Sequence, residues 1–150
     1  MPVTPPKDGR YDGGQYGFYF SDTAPANPAA IDDYTLVGMV TTWNRQRTKE
    51  VQRAEDRDGS GTIGGTKDYA INVGVNSIAT GEAGQEALFD AYDTGVEGYW
   101  LMTDNVAGHI QEYGRASVTQ DTDTKDNGSP ATAAFVLTGS GEVTRAEVPV

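Results

Sequence analysis

Hydrophobic and polar residues alternate cleanly through the middle of the chain, where Tyr69, Ile71, Val73 and Val75 share one face and Asn72, Gly74 and Asn76 the other. A period of two predicts a half-buried strand over residues 68–78. Past Gly81 the period changes. Ala83, Ala87, Leu88, Ala91 and Tyr92 fall on one helical stripe, predicting an amphipathic helix over about residues 82–94, with Gly95 as its stop. Gly98–Thr103 is a short aromatic strand closed by the turn residues Asp104 and Asn105. From His109 to about Thr122 a strand leads into Asp126-Asn127-Gly128-Ser129-Pro130 and returns through Ala131–Thr138, a long hairpin.

Upstream of this core the pattern is looser. Tyr34–Val40 reads as a first strand with Trp43 near its end, and Asn44–Arg53 as a second, exposed run of mixed charge. Residues 54–66 are polar, Gly-rich and without period, so a long loop is expected there, ordered by a neighbouring copy. Before them lies a segment rich in Pro, Gly and Tyr, in which Tyr16, Phe18 and Phe20 would be apolar anchors for docking on another subunit. The resulting fold class is mainly β: a β-sandwich or small barrel with one flanking α-helix. An extended N-terminal arm spans 1–33 and a single β domain spans 34–150.

At 150 residues with 19 Gly, the chain suits one turn-rich domain with a core of its own. It has no Cys, which excludes disulfides and thiolate metal sites and fits assembly in a reducing cytoplasm. No apolar stretch approaches the roughly 18 residues that a membrane span needs, and no signal-peptide pattern opens the chain. The formal net charge of −11 argues against gripping nucleic acid, because such binding rests on Lys and Arg displacing phosphate counterions.

Catalytic and metal-binding patterns are weak. Asp56, Asp58, Ser60, Gly61 and Ile63 match the first eight positions of a calcium loop, but the twelfth is Lys67 where a bidentate Glu is needed, and Asp68 comes one place late. The Gly59–Lys67 stretch lacks the spacing of a phosphate-binding loop. His109, the single histidine, has no partner pattern for a metal or a nucleophile. Asp32 with Asp33, and Asp121, Asp123 and Asp126, could split their proton affinities in a cleft, yet they fall in linker and hairpin-tip sequence. No cofactor and no enzymatic activity are expected.

The order of elements carries a resemblance. A charged run precedes a Gly-Gly-Thr-Lys-Asp-Tyr strand (64–69), then comes the helix Gly84-Gln-Glu-Ala-Leu-Phe-Asp-Ala-Tyr-Asp-Thr-Gly95 and a strand. A Gly114-Arg-Ala-Ser-Val-Thr119 strand and a Phe135-Val-Leu-Thr-Gly-Ser-Gly141 finish follow. Over about residues 34–147 this resembles the major tail tube proteins of long-tailed bacteriophages. The resemblance implies a structural virion protein of the tail, assembled in the host cytoplasm as hexameric rings stacked into a tube. Tail tip, tail terminator and tape measure proteins would be its partners, and double-stranded DNA would pass through without being bound. Six copies would bring a formal charge of about −66 to each ring.

Within that reading two sets of side chains stand out. Arg45, Arg47, Lys49 and Arg53, together with Asp56 and Asp58, are candidates for pairing across a subunit boundary. Glu82, Glu86 and Asp90 stand four apart on the helix without an intervening cation, a like-charge row that fits a cationic partner surface or an acidic conduit wall. Such a wall would repel a duplex only within about 10 Å at about 0.1 M salt. Two other classes remain open on sequence: a small β-sandwich binding module, calcium-dependent or carbohydrate-directed, and a hydrolase using paired carboxylates.

Overall fold

The computed structural model describes residues 16–56, 59–77, 81–140 and 142–149. In chain order the elements are β1 (Gly17–Ser21), a 3-10 turn (Ile31–Asp33), β2 (Thr35–Leu36), β3 (Val40–Asp56), β4 (Gly59–Asn76), α1 (Ala83–Thr94), β5 (Gly98–Thr103), β6 (Ile110–Thr124), β7 (Thr132–Ser140) and β8 (Thr144–Glu147). All strand pairings are antiparallel, and they form two layers that share one strand. The first sheet runs β2-β1-β5-β6, with β8 also on β6; the second runs β6-β7-β4-β3. Strand β6 pairs β5 through Glu112–Ala116 and β7 through Ser117–Thr124, with a bulge past Val118. A bulge bends a strand and raises its twist, which lets one strand serve both layers. The fold is mainly β with one flanking helix, and the path of strands from β2 to β3 does not close.

The alternation in β4 and β7 sends Tyr69, Ile71, Val73, Phe135 and Leu137 inward against Phe18, Phe20 and Trp100 of the first sheet, all of them buried. Burial of each such side chain is worth about 1.5–3 kcal/mol. Trp43 stitches the layers, with ring centroids 6.2 Å from Trp100 and 6.3 Å from Phe18. Tyr69 meets Trp100 edge-on, accepts a 3.0 Å hydrogen bond from its indole Nε1 and donates to the Arg115 carbonyl. Gly139 leaves room for that ring, since a Cβ there would lie 2.2 Å from Tyr69 Cζ.

The helix has the bounds read from sequence: Glu82 is its N-cap, and Gly95 ends it at φ 70. Its buried face is Gly84, Gln85, Leu88 and Ala91, which corrects the expected stripe; Tyr92 is exposed. The cause lies at Gly84, where a Cβ would sit 2.3 Å from the Leu36 carbonyl oxygen and 2.5 Å from Val37 Cα. Without a side chain there, the helix backbone seats directly on the β2–β3 connection. Gln85 then reaches past it and donates from Nε2 to the carbonyls of Gly38 and Asn76, both at 3.0 Å.

Three further expectations change. Tyr34–Val40 is no continuous strand: pairing stops at Leu36, and Met39 sits at φ 58 in a turn that delivers the chain to β3. The expected loop at 54–66 is extended and paired over its described residues, with Ala54 opposite Gly61, Glu55 opposite Ser60 and Asp56 opposite Gly59. Backbone hydrogen bonds in a hairpin do not need apolar alternation, so the period-based reading missed it. Finally, β1 belongs to the domain. Gly17–Ser21 pairs Tyr99–Thr103, and Phe18 and Phe20 are 1% and 0% exposed, so these anchors pack into their own core and not onto a neighbour. Residues 1–15 lie outside the described residues.

Candidate functional site

The second sheet presents a bare outer face. Register places Thr42, Asn44, Gln46 and Thr48 of β3 beside Gly74, Asn72, Ala70 and Asp68 of β4, and these beside Ala134, Val136 and Thr138 of β7. Ser117, Gln120 and Thr122 of β6 complete the rows. Most of these positions are exposed. The polar groups pair among themselves: Asn72 Nδ2 donates to Asn44 Oδ1 at 3.0 Å, and the hydroxyls of Thr119 and Thr138 are 3.0 Å apart.

The charges of these strands fall on the opposite parity. Arg45, Arg47 and Lys49 stand opposite Ile71, Tyr69 and Lys67, and Asp121 and Asp123 opposite Phe135 and Ala133. Arg45 is tied within the chain, its guanidinium pairing with Glu112, which also has Arg145 at 3.9 Å. Arg47 and Lys49 are exposed. The side chains of Arg53 and Asp56, and all of Asp58, lie outside the described residues. The calcium-loop reading loses its turn as well, because Ser60, Gly61 and Ile63 are strand residues paired with Glu55, Ala54 and Gln52. Among the described residues no cluster of His, Cys, Asp and Glu could hold a metal ion, and no helix is long and apolar enough to cross a membrane.

Both edges of the second sheet lack a further strand among the described residues: β3 on one side, and the Ser117–Thr124 half of β6 on the other. Four antiparallel strands run up, down, up and down, so the two edges run opposite to each other. A copy placed edge to edge therefore continues the same antiparallel pattern, with the Arg47 and Lys49 strand meeting the Asp121 and Asp123 strand. Unpaired edges of this kind are templates for pairing with another chain.

The helix candidates have different places. Glu82 is partly buried, and its Oε2 accepts from Gln85 N at 2.9 Å and Gly38 N at 3.1 Å. Glu86 and Asp90 are exposed. The helix packs on the core side of the second sheet, with Phe89 4.8 Å from Phe135, so its outer face points away from the bare sheet face. A groove of about 880 Å³ opens between β1, β3 and the end of β5, lined by Tyr16, Phe18, Val40, Trp43, Met102 and, at its rim, Arg145.

An Asp–His pair went unread in the sequence. Asp104, buried, holds His109 Nδ1 at 2.6 Å through Oδ2 and accepts Val106 N through Oδ1 at 3.0 Å. With Val148 N donating to the His109 carbonyl at 2.7 Å, the pair locks the β5–β6 turn onto the chain's C-terminal strand. The spacing Asp-Asn-x-x-x-His was its available signal.

No family model and no curated protein sequence matches the chain. Solved structures do. A chain of the virion of a native gene transfer agent particle superposes with TM-score 0.70, covering 91% of this chain and 99% of that one at 8% identity. The SPP1 tail tube gives TM-score 0.71 over 91% of this chain and 80% of its own at 17% identity. The chain has the fold of a tail-tube subunit. A chain from the tail of an empty gene transfer agent particle, determined with C6 symmetry, superposes on this tail-tube fold with TM-score 0.68, covering 91% and 99% at 10% identity.

Proposed function

We propose that this chain is a structural subunit of a virion tail tube, whose copies join side by side into sixfold rings that stack head to tail around a conduit for double-stranded DNA. The observation that carries the reading is the open second sheet, whose two free edges run antiparallel to each other and bear charges of opposite sign. A contact repeated by rotation closes a ring, and one repeated along an axis stays open and grows. The lateral contact is β3 of one copy against β6 of the next, with Arg47 and Lys49 facing Asp121 and Asp123. Arg47 lies level with Gly139 and Asp121 with Phe135, an offset of about four residues. A stagger of about one residue per strand, as in an eight-stranded barrel of shear 8, has that size across four strands.

The axial contact is the far end of the β3–β4 hairpin. Beyond Asp68, which pairs Ser140 of β7, β4 is paired with β3 alone, so the hairpin extends past the body of the sheet and reaches the adjacent ring. Assembly takes place in the host cytoplasm, with tail tip, terminator and tape measure proteins setting the ends and the length. The chain performs no catalysis in this role.

Electron microscopy of the purified full-length chain tests the reading. Rings or tubes on the order of 100 Å across, the size of six small domains in a circle, are the expected result. A single species that sediments as a monomer at high concentration overturns it.

A further inference from the structure

The acidic helix and the bare sheet face lie on opposite sides of the molecule, so both cannot line one conduit. Resting on the tube reading above, with the outer face of the second sheet lining the conduit and Glu86 and Asp90 outside it, we infer that this wall is close to uncharged over its described residues. Edge-to-edge closure of the second sheet sets one of its faces toward the ring's centre. The core face carries the first sheet and α1, and this bulkier layer takes the larger, outer circumference. The bare face is left to line the hole.

Its chemistry is unlike the rest of the surface. Lys, Arg, Asp and Glu number 33 of the 150 residues of the chain, as 11 basic and 22 acidic. Yet among the described side chains of this face, Asp68 is the charged one, and the remainder are Thr, Asn, Gln, Ser, Ala, Val and Gly. The strands are not poor in charge. They place Arg45, Arg47, Lys49, Asp121 and Asp123 on the other parity, including where that parity is exposed.

A wall of this kind holds a duplex neither by attraction nor by repulsion. Among its described side chains there is no Lys or Arg to release counterions from phosphate, these side chains are short, and several of their hydrogen-bonding groups are occupied by one another, as in the Asn44–Asn72 and Thr119–Thr138 pairs. The helix carboxylates sit across a stacked layer about 10 Å thick, a full screening length at about 0.1 M salt, so little of their field reaches the hole. Passage is then governed by the lack of contacts worth keeping, in place of the acidic repulsion expected from sequence.

The absence of cysteine makes single-cysteine probes clean. Asn72→Cys and Thr138→Cys mark the wall and Asp90→Cys the outside; each is assembled into tubes and treated with a small maleimide or with a maleimide carried on a folded protein too large for the hole. The expected result is that all three react with the small reagent while only Asp90→Cys reacts with the large one. Tubes in which both wall positions react with the large reagent as fast as Asp90→Cys overturn the assignment of the face, without touching the tube reading. Failure of the unsubstituted chain to form tubes overturns the tube reading and this inference with it. Neutrality is read from a dye on Thr138→Cys as a short duplex enters open tubes. Uptake should be the same within twofold from about 0.1 to 1 M salt, where the screening length falls from about 10 to 3 Å and the outer carboxylates stay screened; a rise of tenfold or more would reveal a repelling, charged wall and overturn it.

Discussion

Glu82 offers the sharpest separation between a carboxylate kept for its charge and one kept for its hydrogen bonds. Its Oε2 accepts from both Gln85 N and Gly38 N, capping α1 and fastening the turn before β3 at one atom. Glu82→Ala removes both. Loss of an N-cap costs about 1 kcal/mol, and a buried donor deprived of a charged acceptor costs about 1.5–3 kcal/mol, for a total of about 3 kcal/mol. In a domain of this size a loss of 1 kcal/mol lowers Tm by about 2–4 °C, so Glu82→Ala should melt about 6–12 °C earlier. Glu82→Gln keeps an acceptor oxygen and loses only the charge at the helix N-terminus, about 0.3–1 kcal/mol, which is a drop of no more than about 4 °C. Melting is followed by far-ultraviolet circular dichroism at a dilution where sedimentation shows single subunits. Equal losses in the two variants would refute the geometric account and return Glu82 to a role set by charge, and an unchanged Glu82→Ala would show that the cap does not hold the turn.

Gly84→Ala should destabilise the fold despite a gain of about 1 kcal/mol in helix propensity, because its Cβ would meet the Leu36 carbonyl and Val37 Cα, and overpacking against backbone costs about 1–3 kcal/mol; urea unfolding measures the sign. Burial, with Tyr113 and Asp33 nearby, raises the Tyr34 hydroxyl to about 12 from 10.0. The folded state therefore holds that proton more tightly than the unfolded chain, and this contribution, complete below pH 10, should be lost as pH rises toward 12; the fall in urea midpoint over that window should be shallower in Tyr34→Phe. Reversing the β3 edge with Arg47→Glu and Lys49→Glu should suppress rings without unfolding the subunit, and adding Asp121→Lys and Asp123→Lys should restore them. Microscopy reads both steps, and no rescue would count against β3–β6 pairing.

Where side-chain period and backbone agree, the fold was legible in the sequence. The alternation of Tyr69, Ile71, Val73 and Val75 named the buried face of β4, and Gly81 and Gly95 bracket the helix that was expected between them. What escaped was set by the backbone. A positive φ at Met39 has no Gly or Asn to announce it. The residues at 54–56 and 59–64 pair through main-chain groups that composition does not reveal, and Gly84 rotates the buried face of the helix by offering no side chain at all. The basic run on β3 was read as exposed, and Arg47 and Lys49 are, while the pairing of Arg45 with Glu112 and the burial of Phe18 and Phe20 depended on strands far along the chain.

Strand β6 carries one backbone through both layers. A load applied along it cannot slide one layer over the other without first tearing Glu112–Ala116 from β5 or Ser117–Thr124 from β7, and in either case the bonds fail together in shear and not one after another as in a zipper. A wall built of such pieces is stiff lengthwise, and it should fail by parting between subunits before any one subunit comes apart.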